Sequence, residues 1–145
     1  MEREENMTGW NAIANTFRKL YLNQTEPLHF APLFSYRLGG GPLDNIDVYE
    51  SDDYFHFVSY GLSELYEKES DNTEYSGYGF ELTLKLKKSS LKNVQDELEC
   101  VCGIFQLLAG ETFSNGSIFQ PFEYIYTGQH NGIDSEGLSN ITGFV

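Results

Sequence analysis

The sequence predicts an α+β domain, and three patterns carry that expectation. Trp10, Ile13, Ala14, Phe17, Leu20 and Tyr21 recur at helical spacing, and so do Val94, Leu98, Val101, Cys102, Phe105, Leu108 and Ala109. Two amphipathic helices are therefore expected, at about 9–21 and 94–109. Between them Phe80, Leu82, Leu84 and Leu86 alternate strictly with Glu81, Thr83, Lys85 and Lys87, the period-two pattern of a strand with one face in a core and the other in solvent.

Taken in order, Thr8 is placed to cap the first helix. Residues 23–27 break its pattern, and 33–38 could form a short strand before Gly39, Gly40, Gly41 and Pro42 impose a turn. Segments 46–49 and 54–60 read as two strands joined across Ser51, Asp52 and Asp53, whose short polar side chains suit a tight hairpin connection. In the second of them Tyr54, His56, Val58 and Tyr60 share one face and Phe55 and Phe57 the other, so both faces need cover and the strand is expected to be central. Gly77 and Gly79 admit a turn or bulge entering the strand over 80–87. Asn93 is positioned to cap the second helix and Gly110 to stop it. Beyond it, 113–122 reads as irregular, 124–126 as a strand, and 129–140 as polar chain. The apolar segment 141–145 is either a terminal strand or the mark of a truncated chain.

The 145 residues fit one domain, 1–145, able to bury roughly two-thirds of the surface its unfolded chain would expose. A hydrophobic fraction of 40% and an aromatic fraction of 15% belong to a globular chain rather than to an acidic disordered tail. Nine basic residues against 22 acidic ones give a net charge of -13, which repels phosphate backbones and argues against nucleic-acid binding. The same charge favours encounter with a basic protein, although solubility is the commoner reason for it. Residues 1–7 are charged and lack the apolar core of a secretory signal, and no stretch approaches the eighteen or so apolar residues of a membrane span. A cytoplasmic location is expected. Cys100 and Cys102, about 200° apart on a helix, cannot easily join to each other and read as small apolar groups in a reducing compartment.

No pattern for catalysis emerges. His29, His56 and His130 lack metal-ligand spacing, and His56, among aromatics in a strand, is better explained as a hydrogen-bonded core residue. The glycines at 39–41 are not followed by the Lys-Ser or Lys-Thr of a phosphate-binding loop, and Ser59 lacks the glycines of a nucleophile elbow. Glu64, Glu67, Glu69, Asp71 and Glu74 form an acidic run in which paired carboxylates could hide, but a solvated loop is the simpler reading. Tyr60, Leu62, Leu65, Tyr66, Tyr75 and Tyr78 interleave that run, and aromatics among charges are either core or interface anchors.

Tyr60-Gly61-Leu62-Ser63-Glu64-Leu65-Tyr66 and Ser76-Gly77-Tyr78-Gly79-Phe80-Glu81-Leu82-Thr83 resemble the defining segment of suppressor-of-fused domains. Trp10, Ala12-Ile13, Leu20-Tyr21, Pro27, His29, Leu38-Gly39-Gly40, Pro42-Leu43-Asp44, Ile46 and Val48-Tyr49 are similar to that family's N-terminal half in the same order. After residue 88 the likeness thins to Leu107-Leu108-Ala109, Phe113-Ser114 and Phe119, and Leu91 to Val94 stand where the family usually has Pro-Trp. The family's closing strands have no counterpart, so a domain lacking the last C-terminal strands is expected.

The resemblance implies a mixed, largely antiparallel sheet flanked by the two helices, no catalysis and no cofactor. The animal member holds Gli-type transcription factors by clamping a peptide as an added strand, and the position matching its peptide-contacting tyrosine is Tyr66. Its contacting aspartate would fall near Thr73, with Glu74 adjacent. The expected partner-binding set is Tyr60, Leu65, Tyr66, Glu67, Glu74, Tyr75 and Tyr78. Small stand-alone relatives are typical of bacteria and resemble immunity proteins that neutralise toxins, so the leading expectation is an immunity protein or antitoxin with a basic toxin as partner. A peptide-binding regulator that sequesters another protein is the alternative, and an enzyme using the acidic region 64–74 a more distant one.

Overall fold

The computed structural model describes residues 6–24, 26–30, 42–66, 71–88 and 91–144. They belong to two compact units, Met1–Ser89 and Ser90–Val145. The chain is α+β, as its periodicities require. The expected strand over 33–38, the glycines 39–41 and Glu67 lie outside the described residues.

In the first unit helix α1 (Thr8–Leu20) is followed by β1 (Leu28–His29), β2 (Asn45–Glu50), β3 (Tyr54–Tyr60) and β4 (Thr83–Lys87). The strands form one sheet in the order β1-β2-β3-β4, antiparallel at every pairing among the described residues. β2 and β3 make the expected hairpin, in register from Asn45 opposite Tyr60 to Glu50 opposite Phe55, and the Ser51 amide closes the turn on the Tyr54 carbonyl at 2.9 Å. β3 lies inside the sheet, and every residue from Phe55 to Tyr60 is buried, which is why neither of its faces is polar.

The core of this unit joins Phe17 of α1 to Tyr49, Val58, Tyr60 and Leu65, with Trp10, Ile13 and Tyr21 packed against them. Trp10 lies 4.4 Å from Tyr60 between ring centroids, and Phe17 and Tyr21 stack on Tyr49 at 5.2 and 5.1 Å. The helical stripe is thus 10, 13, 14, 17 and 21; Leu20, included on spacing, points away and is 63% exposed. His56 is a bonded core histidine: its Nδ1 meets the Tyr21 hydroxyl and its Nε2 the Thr83 hydroxyl, both at 2.6 Å. Burial, and then the Lys85 ammonium, hold its pKa below the ordinary imidazole value. Asp47, also buried, accepts from the Asn45 side chain at 2.6 Å and contacts His29 Nδ1.

Three details depart from the sequence reading. Thr8 is the first helical residue rather than the cap: Met7 holds the cap position without a side-chain hydrogen bond, and the Asn6 carboxamide accepts the Thr8 amide at 3.1 Å. β4 keeps the expected phase, with Leu84 opposite Phe57 and Leu86 opposite Phe55, but begins at Thr83. As the last strand in the described sheet it leaves Leu82, Leu84 and Leu86 only half-buried. Its other face is exposed at Thr83, Lys85 and Lys87 as expected, and the Thr83 hydroxyl also bonds His56 Nε2.

The second unit holds α2 (Val94–Asn115) and a two-stranded ribbon of β5 (Ile125–Tyr126) and β6 (Gly143–Phe144). Of the apolar segment 141–145, Gly143–Phe144 form this strand. Asn93 caps α2 as expected, accepting the Asp96 amide at 3.3 Å. Gly110 does not stop the helix: the buried stripe of Leu98, Val101, Cys102, Phe105 and Ala109 continues to Thr112, and that continued burial outweighs the roughly 1 kcal/mol a glycine costs in mid-helix. The stop is Gly116, in the left-handed conformation (φ 70°), its amide bonded to the Thr112 carbonyl at 2.9 Å. Both cysteines are free; burial pushes the Cys102 thiol up to about 12, and Cys100 Sγ donates to the Ile133 carbonyl at 2.9 Å.

Candidate protein-binding site

The chain leaves β3 at Tyr60 and turns at Gly61, whose φ of 138° is one that L side chains rarely adopt. The amides of Gly61, Leu62 and Ser63 then point at a single oxygen, Oε1 of Glu81, at 3.1, 3.1 and 2.9 Å, and the Ser63 hydroxyl donates to the same atom at 2.7 Å. The other carboxylate oxygen accepts from the Ser59 hydroxyl at 2.6 Å, while Ser59 Oγ accepts the Leu82 amide at 2.7 Å. Successive amides converging on one point make an anion-binding concavity. Here the anion is the chain's own carboxylate, and hydrogen bonds to a charged acceptor are worth about 1.5–3 kcal/mol each.

Two further ties hold the same loop. The Tyr78 amide donates to the Leu62 carbonyl at 2.9 Å, in the turn that Gly77 and Gly79 form with φ of 59° and 84°. At the loop's far end the amides of Gly9 and Trp10, at the start of α1, both donate to the Leu65 carbonyl, at 2.9 and 3.3 Å. Leu62 and Leu65 are buried beneath, and Tyr66 follows at the surface, 40% exposed.

The expected partner-binding residues fall into two groups. Tyr60 and Leu65 lie in the core, Tyr60 with no exposed surface, and burial followed by the Asp47 charge raises the Tyr60 phenol well above its ordinary value. Tyr66, Glu74 and Tyr75 are exposed and Tyr78 is half-buried. The Tyr75 ring lies over Gly79, where a Cβ would come within 2.9 Å of it. Glu74 begins its turn with its amide on the Asn72 side chain at 2.8 Å.

Glu81 was missed by sequence reasoning. Strict alternation assigns it to the solvent face of a strand, yet it precedes β4 and turns toward the loop. A glycine turn followed by Ser63 was the one local hint, since such a turn leaves amides in need of an acceptor. Among the described residues no group of three or more His, Cys, Asp or Glu side chains could hold a metal ion, and no helix is long and apolar enough to cross a membrane.

The family model described as suppressor of fused protein (SUFU) matches residues 41–145. The suppressor of fused homologs of Homo sapiens and Mus musculus are each 35% identical over 99 residues, an alignment covering 57% of this chain and 20% of theirs. The chain thus aligns with about a fifth of the length of these curated relatives. Among solved structures, a chain of the Sufu–Fu complex superposes with a TM-score of 0.81 at 25% identity, covering 96% of this chain and 66% of that one. With the family model spanning most of its length and the same fold in a solved relative, the chain belongs to the suppressor of fused family.

Proposed function

We propose that this domain works without catalysis, by holding a protein partner at the surface formed by Tyr66, Glu74, Tyr75 and Tyr78. The carrying observation is that Tyr66 stands exposed at the end of a loop fixed from three sides. An aromatic anchor on a rigid support loses little freedom on binding. Family membership supports the same reading, and the solved relative is a complex between two proteins. Tyr60 and Leu65 would serve from beneath, as the floor of the surface.

The finer reading is an immunity protein that neutralises a basic toxin, and the net charge of -13 supports it. A regulator that sequesters another protein is the second reading, favoured by the relative solved as the Sufu–Fu complex. Affinity purification of the tagged chain from its native host at low and high salt tests both. A co-purifying protein, held more tightly at low salt and more weakly by Tyr66→Ala, is expected, because steering between an acidic and a basic partner is screened within about 8 Å at physiological ionic strength. Binding unaffected by salt would remove the basic-partner reading. A small-substrate hydrolysis lost on changing Glu64 or Glu74 would overturn the non-enzymatic role.

A further inference from the structure

We propose that Glu81 is a positioning residue for partner binding: its carboxylate fixes the loop 61–66 in the shape that presents Tyr66 before any partner arrives. This rests on the protein-binding reading above and adds to it a residue that does not itself form the exposed surface.

One oxygen of the carboxylate serves the loop, and the other meets a single side chain of the sheet, the Ser59 hydroxyl of β3. The loop has no helix or strand of its own, and its first three amides depend on one oxygen atom. Gly61, held at φ 138°, lies where an unsupported chain would readily leave that conformation. The remaining ties act further on, from Tyr78 to Leu62 and from Gly9 and Trp10 to Leu65. Removing the carboxylate therefore frees the amides of 61–63 and the Ser59 hydroxyl, while the backbone ladder of β2 and β3 and the aromatic core under α1 keep their own contacts. A loop that must be ordered at the moment of binding charges that entropy against affinity, whereas one already ordered does not.

The test is amide hydrogen exchange on the full chain by NMR, with no partner present, for Glu81→Ala and Glu81→Gln. In Glu81→Ala the amides of Gly61, Leu62 and Ser63 should exchange roughly tenfold to a hundredfold faster, the loss expected of hydrogen bonds to a charged acceptor, while β2 and β3 amides keep their wild-type rates. Glu81→Gln retains an oxygen for the three amides and should restore much of the protection, and it also serves if the alanine variant does not fold. The fluorescence of Trp10, the chain's single tryptophan, whose ring lies 4.4 Å from Tyr60, should stay unchanged in both.

In a second arm, the protein that co-purifies with the wild-type chain should bind Glu81→Ala roughly tenfold more weakly, as for the ordering of a few loop residues, and Tyr66→Ala more weakly with loop exchange unchanged. Unaltered exchange at 61–63, or loosening that spreads equally through β2 and β3, overturns the proposal. A loosened loop with undiminished affinity also overturns it and leaves the binding function standing. Failure of the wild type to retain any protein counts against the function and leaves the exchange measurement to decide on Glu81.

Discussion

Gly9 donates its amide to the Leu65 carbonyl at 2.9 Å, and the two backbones lie so close that a Cβ at residue 9 would sit 2.7 Å from Leu65 Cα. The start of the first helix is thereby seated directly on the loop that carries Tyr66. Gly9→Ala should cost about 1–3 kcal/mol, because backbone atoms on both sides must shift. In open space the same change would favour the helix by up to about 1 kcal/mol, so the sign of the change in urea denaturation decides. A stabilised variant would mean that helix and loop are not in contact.

Tyr60 and Tyr66, six positions apart in one segment, should respond oppositely to truncation. Tyr60 is fully buried between Trp10 and the sheet, so Tyr60→Ala should cost about 3–5 kcal/mol of stability, as for other large aromatics in cores. Tyr66→Ala should cost less than about 1 kcal/mol, the ordinary range for a surface site, and show its effect in partner binding. Chemical denaturation of the two variants side by side checks this, and equal losses would refute the division of the segment into floor and surface.

Leu84 and Phe57 face each other across β3 and β4, yet only Phe57 is fully buried. Leu84→Ala should cost about 1–2 kcal/mol, below the usual range for a fully buried leucine, and Phe57→Ala about 3–5 kcal/mol. A Leu84→Ala loss equal to that of Phe57→Ala would show that β4 is covered as completely as the strands inside the sheet.

His56 gives the fold a pH dependence of definite sign. Burial and Lys85 depress its folded-state pKa, so the unfolded chain, with an imidazole near 6.5, binds a proton more readily than the folded one. Stability from this group is complete above about 6.5 and falls as the pH drops from there toward the folded-state pKa. The urea midpoint should therefore fall between neutral and mildly acid pH more steeply in the wild type than in His56→Gln, which cannot titrate. Parallel pH profiles would show that His56 is not held neutral in the fold.

The sequence by itself determined whatever repeats along the chain. The apolar stripe of α1 at 10, 13, 14 and 17, the β2–β3 hairpin across residues 51–53, the inner place of β3 and the phase of β4 all follow from local periodicity, since a helix or strand must turn its apolar residues to one side. The glycine turn at 77–79 was equally legible, because its positive φ values need glycine. Only tertiary structure decided which aromatics of 60–78 lie beneath the surface and which stand on it, as this segment has no regular period to read. Nor could spacing show that α2 runs past Gly110 to Asn115, where burial of Thr112 overrides a local stop signal. Glu81 marks the limit most clearly: alternation speaks only of which face a residue takes, whereas the partners that give this carboxylate its role lie 18 to 22 positions away along the chain, brought within 3.1 Å of it by the fold alone.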